Sequence, residues 1–277
     1  MGYFQPGSIT EALTILDEQE LRVVAGCTDF FPSQPMGNQC RAILDITRID
    51  GLRGIEETDE GWRIGAATTW TDVIRAPLPP AFDALKQAAR EVGSIQIQNA
   101  GTLAGNLCNA SPAADGVPPL LALETVVEIA SAAGSRHVPL AAFITGVRTT
   151  DLRAGEMVTA LHIPRGAGEG TSAFLKLGSR KYLVISIAMV AANLRMDGDR
   201  IAGLRLAVGA CSPVALRLPA MERALEGQRI DALDTPDDAW FAPLSPLTDV
   251  RGSADYRLTS VAELCIRAIR QAADAGA

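Results

Sequence analysis

Apolar and polar positions along this chain recur with two periods, and the points where the period changes mark out its elements. Over SITEALTILDEQ (8–19), Ile9, Ala12, Leu13 and Leu16 recur at helical spacing. Ser8, with Glu11 three positions later, is a capping-box start. LRVVA (21–25) and AILDI (42–46) read as short buried strands, so a small β-α-β unit is expected up to about residue 50. WRIGAAT (62–68) is strand-like, and PPAFDALKQAAREVG (79–93) has proline at its start, a helical body and a closing glycine. TVVEIAS (125–131) is a further strand, and the alternation over MVTALHI suits an edge strand closed by Pro164. GAGEG (166–170) is the best linker candidate.

Beyond it, TSAFLKLGSRKYLVISIAMVAANLRM and RIAGLRLAVGA (200–210) carry strand patterns, and PAMERALEG a helical one. A closing helix is expected from Ser260, where Ser260 and Glu263 repeat the capping-box spacing. Mixed strand and helix spacing without an internal repeat predicts an α+β protein. Three units are expected: 1–50, 51–165 and 171–277.

The chain has 277 residues and a net charge of −7 with no basic stripe, which argues against a nucleic-acid surface. The apolar run 183–194 is too short to span a bilayer, and no basic segment followed by an apolar run opens the chain. Cys27, Cys40, Cys108, Cys211 and Cys265 are scattered and never spaced C-x-x-C, so free thiols in the cytoplasm are expected rather than disulfides, zinc or an iron–sulfur cluster. His137 and His162 have no partner at helical spacing, so no metal site is expected.

Candidate chemistry rests on two stretches of small residues, VVAGCTDF (23–30) and QNAGTLAGNLCNASPAAD (98–115). No periodicity extends through the second. Small residues let a backbone approach a ligand closely, with N–H groups free to converge on an anion. Thr28, Thr102 and Asn106 add side-chain donors for phosphate oxygens, and Asp115 an acceptor for sugar hydroxyls. Tight turns that satisfy only local geometry are the alternative. Neither a Rossmann nor a P-loop fingerprint is present, so a nucleotide here implies another architecture.

The segment VGSIQIQNAGTLAGNLCNASPAADGVPPLLALE (92–124) resembles the signature of the FAD-binding subunit of the xanthine dehydrogenase and carbon monoxide dehydrogenase family of molybdenum hydroxylases. VVAGCTDF resembles that family's first flavin loop, FLKLGSRKYLVISIAMVAANL the start of its C-terminal domain, and DVRGSADYRLTSVAEL (249–264) its closing segment. The resemblance implies a two-subdomain FAD-binding fold of the vanillyl-alcohol-oxidase/PCMH type, followed by a C-terminal α+β domain of the CO dehydrogenase flavoprotein type. It implies FAD between the first two subdomains, held by Val23, Val24, Ala25, Gly26, Cys27, Thr28 and Phe30 in one loop and Thr102, Gly105 and Asn106 in the other. Asp115 would reach ribityl or ribose hydroxyls, Val158 would line the cofactor from a strand, and Lys176 would stand beside the flavin as a stabilising cation.

Three positions depart from the family pattern. Cys27 replaces the commoner glycine and fits if its φ is negative, Ala104 replaces another glycine, and Gln98 stands where arginine is common.

No acid–base pair, Ser–His–Asp arrangement or metal set is visible for activating a carbon substrate. The resemblance therefore implies an electron-transfer subunit, with a [2Fe–2S] small subunit and a molybdopterin-binding large subunit as partners and NAD, a quinone or oxygen as acceptor. A stand-alone flavin oxidase or reductase, for which Arg180, Lys181 and Tyr182 are the nearest candidates, and a nucleotide-sensing regulatory module are the alternatives.

Overall fold

In the computed structural model, which describes residues 2–32, 42–233 and 236–276, the first helix begins where its cap predicts. The Ser8 hydroxyl accepts from Glu11 N–H at 3.2 Å, and Glu11 Oε2 reaches back to Gly7 N–H at 3.0 Å. Two N-terminal donors are thereby satisfied. The helix, α1 (Ile9–Glu18), follows β1 (Gly2–Phe4) and buries Ala12 and Leu16. With β2 (Arg22–Val24) and β3 (Ala42–Asp45) it builds the expected β-α-β unit, as a parallel sheet of order β1-β3-β2.

β4 (Ile55–Thr58) and β5 (Gly61–Gly65) form a hairpin. A helical layer follows: α2 (Trp70–Arg75), α3 (Asp83–Glu91), α4 (Ile95–Ala100), α5 (Leu103–Asn109) and α6 (Val117–Ala122). Next come the hairpin β6 (Val126–Ser131) and β7 (Gly134–Pro139), the short α7 (Leu140–Phe143), and a small hairpin of β8 (Ile144–Gly146) and β9 (Thr149–Thr150). The chain then returns as β10 (Met157–Pro164) between β5 and β6, giving the antiparallel order β4-β5-β10-β6-β7.

β10 is therefore the central strand and not the edge that its alternation suggested. Met157 through Leu161 are all buried, because a bulge at Thr159 and packing on both faces override the two-residue period. The GAGEG segment is no loose tether either. Arg165–Gly168 is a 3₁₀ turn with Ala167 and Gly168 buried, and a Cβ on Gly168 would lie 2.2 Å from the Trp62 ring.

β11 (Thr171–Leu177), β12 (Ala188–Asp197), β13 (Arg200–Gly209) and β14 (Leu216–Arg217) pair in that order as an antiparallel sheet. It is covered by α8 (Pro219–Leu225) and α9 (Ala254–Asp274). The strand within 183–194 begins only at Ala188; Leu183 and Ile185 are exposed.

The last helix starts a full two turns before Ser260. Ser253 caps it, accepting from Tyr256 N–H at 3.1 Å, while Ser260 lies inside the helix and donates to the Tyr256 carbonyl. The Ser260/Glu263 spacing was a coincidence within a longer apolar stripe of Val261, Cys265, Ile266 and Ile269.

One apolar core unites the first two sheets through Leu44, Leu52, Ile64, Trp70, Leu103 and Leu107, each at 2% exposure or less. A second core lies between the C-terminal sheet and α8 and α9. A seam of small side chains, Ala84, Ala88, Ala122 and Ala191, with Phe174 and Met189, joins α3 and α6 to that sheet. Each large side chain fully withdrawn from water contributes about 1.5–3 kcal/mol before entropy is counted. No helix among the described residues is long and apolar enough to cross a membrane.

Candidate functional site

β2 ends with Val24 buried, and the chain then turns through Ala25–Phe30 along the junction of α4 and α5. The approach is backbone to backbone: a Cβ on Gly26 would lie 1.8 Å from the Ala100 carbonyl oxygen. Only glycine permits that contact. Cys27 has φ +55°, opposite to the negative φ expected of a residue tolerated in place of glycine. Its thiol, 3.5 Å from the Ala25 carbonyl that it faces, has its pKa pushed up chiefly by burial. Among the described residues the N–H groups of Gly26, Cys27 and Thr28 meet no acceptor. Three consecutive donors left open beside a cavity are a ready cradle for an anion.

The second stretch, which showed no period, is two short helices hinged at Gly101 and Thr102. Thr102 is the N-cap of α5, its hydroxyl accepting from Gly105 N–H at 3.0 Å. Gly101 accepts from Trp70 N–H, and Leu103 donates to the Thr68 carbonyl, so the hinge is fixed from below by α2 and its cap. Asn106 accepts from Gly116 N–H at 3.3 Å through Oδ1. Gln98, where the family prefers arginine, donates to the Arg90 and Val92 carbonyls and closes the end of α3. Ala104 is a buried helical residue with no need of positive φ. A threonine with its hydroxyl free to accept three residues on was the available signal for α5.

Two cavities open here. One of about 270 Å³ is lined by Val23 through Thr28, Phe30, Thr102, Gly105 and Asn106. A larger one of about 940 Å³ shares Val23, Val24, Ala25, Thr102 and Gly105 and adds Val158 with the 152–157 segment. Both loops named from sequence therefore converge on one continuous band of lining residues. Small side chains and open amides fit a dinucleotide whose diphosphate is held by backbone donors. FAD is such a molecule.

Asp115 and Lys176 line neither cavity. Lys176 Nζ donates to Asp115 Oδ2 at 2.7 Å, and Ser186 Oγ donates to Oδ1 at 2.6 Å, so both carboxylate oxygens are engaged inside the protein. Burial holds the Asp115 carboxyl above the usual carboxylate range, with Lys176 and Ser186 pulling the other way. Ser186, 71 residues from Asp115 along the chain, was not legible from sequence.

The two histidines, expected to stand apart, meet across the outer face of the five-stranded sheet with ring centroids 5.3 Å apart. Cys27, Cys108, Cys211 and Cys265 are free thiols, and Cys40, expected to be one as well, lies outside the described residues.

The family model for the FAD binding domain in molybdopterin dehydrogenase matches residues 1–166, and that for the CO dehydrogenase flavoprotein C-terminal domain matches residues 173–272. The chain is 30% identical to the xanthine dehydrogenase FAD-binding subunit of Escherichia coli O157:H7, over 98% of this chain and 95% of that one. It is also 30% identical to the carbon monoxide dehydrogenase medium chain of Hydrogenophaga pseudoflava, over 98% and 96%. The structure of carbon monoxide dehydrogenase from H. pseudoflava superposes with a TM-score of 0.91 at 29% identity, covering 100% of this chain and 98% of that one.

Proposed function

The chain belongs to the FAD-binding medium subunits of the xanthine and carbon monoxide dehydrogenase family, an oxidoreductase subunit with FAD as its cofactor, and on that premise we propose that it is the electron-transfer subunit of a molybdenum hydroxylase. In this reading a small subunit with [2Fe–2S] clusters delivers electrons, and a molybdopterin-binding large subunit oxidises the substrate. NAD, a quinone or oxygen receives the electrons. When bound, FAD supplies a carrier that couples single-electron partners to two-electron ones.

The chain's own residues hold that carrier. Gly26, Cys27 and Thr28 present their N–H groups to the diphosphate, and Thr102 and Gly105 form the opposite wall. Val158 closes the larger cavity from β10. In this reading Lys176, held by Asp115, which also accepts from Ser186, supplies a buried positive charge that favours the reduced, anionic flavin. We read the chain as three units, 1–50, 51–165 and 171–277, a division supported by the three larger sheets, each of which lies within one of those units. Substrate choice then belongs to the large subunit. A cytoplasmic location is part of the same reading, supported by the free thiols.

The observation that carries the proposal is the convergence of the two loops on shared cavity walls with donors left open. Its test is a visible spectrum of the purified chain before and after dithionite, followed by affinity purification from native extract. Flavin bands that bleach, with iron–sulfur and molybdenum subunits co-purifying, are expected. A flavin-loaded chain that oxidises a substrate alone, with no such partners, would refute the subunit role.

A further inference from the structure

The chain contains two histidines, and both aim at the same carboxylate oxygen. His137 lies on edge strand β7, directly opposite Glu128 on β6. His162 lies on central strand β10, on the other side of β6, where the bulge at Thr159 brings it diagonally beside Glu128. His162 Nε2 is 2.6 Å from Glu128 Oε2, and His137 Nε2 is 4.0 Å from that same atom. The three donor atoms all lie within 4.8 Å of one another.

The other carboxylate oxygen is occupied. Thr159 Oγ1 donates to Glu128 Oε1 at 2.5 Å, and Arg63 Nη2 lies 3.6 Å away on the same side. This fixes the carboxylate so that only Oε2 faces the imidazoles. Such outer partners commonly orient metal-ligating carboxylates. Arg63 keeps a second acceptor in the Gly51 carbonyl, at 3.2 Å, and so is not committed to the site.

A hydrogen-bond account explains only half of the arrangement. It satisfies His162, while His137 makes no hydrogen bond among the described residues although its Nε2 is turned to Glu128. A cation between the three atoms accounts for both. Ligand separations of about 3.4 Å in a tetrahedral zinc site would need His162 to withdraw from the carboxylate by about 0.8 Å and His137 to close on it by about 0.6 Å, with the two imidazoles drawing together from a separation of at most 4.8 Å. With 54% of His137 and 33% of His162 exposed, solvent can complete the coordination.

We propose that Glu128, His137 and His162 form a surface site for a borderline divalent cation such as Zn²⁺, distinct from the flavin cradle and independent of its assignment. Two imidazoles and one carboxylate select zinc, nickel or copper over magnesium and calcium. The bound ion ties edge strand β7 to central strand β10 across β6, and so fastens the open side of the sheet.

The test uses the tag-free, flavin-loaded chain titrated with Zn²⁺ alone by calorimetry, with thermal unfolding in parallel. One ion per chain and a raised melting temperature are expected. His137→Ala and His162→Ala should each weaken binding on the order of a hundredfold, and cancel the melting shift, since each removes one of three protein ligands. His137 is on an exposed edge, so its replacement leaves the fold intact. Equal Zn²⁺ binding by the wild type and by the double histidine variant would place the ion on the thiols and overturn the proposal. No saturable binding, or equal binding of Mg²⁺, would overturn it as well.

Discussion

Lys176 and Asp115, 61 residues apart in sequence, meet as a buried ion pair with Nζ and Oδ2 2.7 Å apart and side-chain exposures of 6% and 10%. The pair joins β11 of the C-terminal sheet to the turn between α5 and α6, so it ties that sheet to the helical stretch that carries Thr102 and Gly105.

Replacing the lysine tests that link. Lys176→Met leaves the Asp115 carboxylate buried beside Ser186 alone, and its pKa, already raised above 3.8, rises further. A carboxyl with a folded pKa above its unfolded one favours the native state while protonated and loses that advantage as pH rises. The variant should therefore lose stability relative to the wild type as pH climbs above 3.8. The loss should reach about 3–5 kcal/mol near neutrality. Lys176→Met with Asp115→Asn removes both charges and should recover much of the loss. Parallel stability–pH curves for Lys176→Met and wild type would count against this account.

Gly26→Ala forces a methyl into the Ala100 carbonyl, at 1.8 Å before any relaxation. The first loop must move off the α4–α5 hinge, at a cost of about 1–3 kcal/mol. The flavin-to-protein ratio after gel filtration should fall severalfold while far-UV circular dichroism stays native. An unchanged flavin content would show that the loop does not hold the cofactor.

Cys27→Gly acts in the opposite direction on the neighbouring residue. With φ at +55°, the cysteine pays for a left-handed conformation that glycine adopts freely. After allowing for the greater freedom of glycine in the unfolded chain, a gain of about 0.5–1 kcal/mol is expected. Chemical denaturation would show it as a higher midpoint at unchanged slope, and a lower midpoint would mean that the thiol contact outweighs the strain.

Arg257 is 3% exposed and donates to the carbonyls of Ile187 and Ala210 and to Asp249 Oδ1. Arg257→Met orphans two buried carbonyls and should cost about 3 kcal/mol. The Arg251 N–H and the Arg257 guanidinium hold the Asp249 carboxyl below 3.8, so its contribution is present above that pH and lost as pH falls through the lowered value. Acid titration followed by intrinsic fluorescence should show a shallower loss of stability in the variant than in wild type. A steeper loss would contradict the pairing.

Much of the fold was legible because local chemistry and tertiary context agree. Ser8 caps α1 as its spacing says, and Val23 to Phe30 turn where a small-residue loop was expected. The misreadings came where distant partners decide. β10 alternates like an edge strand, yet β5 and β6 enclose it. Ser260 imitates a cap because the true cap, Ser253, precedes a helix whose stripe runs through it. The partners of Asn106 and Asp115 were not legible either: their side-chain oxygens accept from Gly116, Lys176 and Ser186, contacts that no linear spacing reveals. The meeting of His137 and His162 depends on cross-strand register and on one bulge.

The position of β10 bears on how the chain is made. β5 and β6 leave the ribosome well before Met157, and each then has an unsatisfied flank where β10 will later insert. Until that strand arrives, the nascent sheet exists as two separate hairpins facing a gap. A message truncated upstream of residue 157 would yield two exposed edges instead of a smaller flavin domain, and its product should be a target for chaperones or proteolysis.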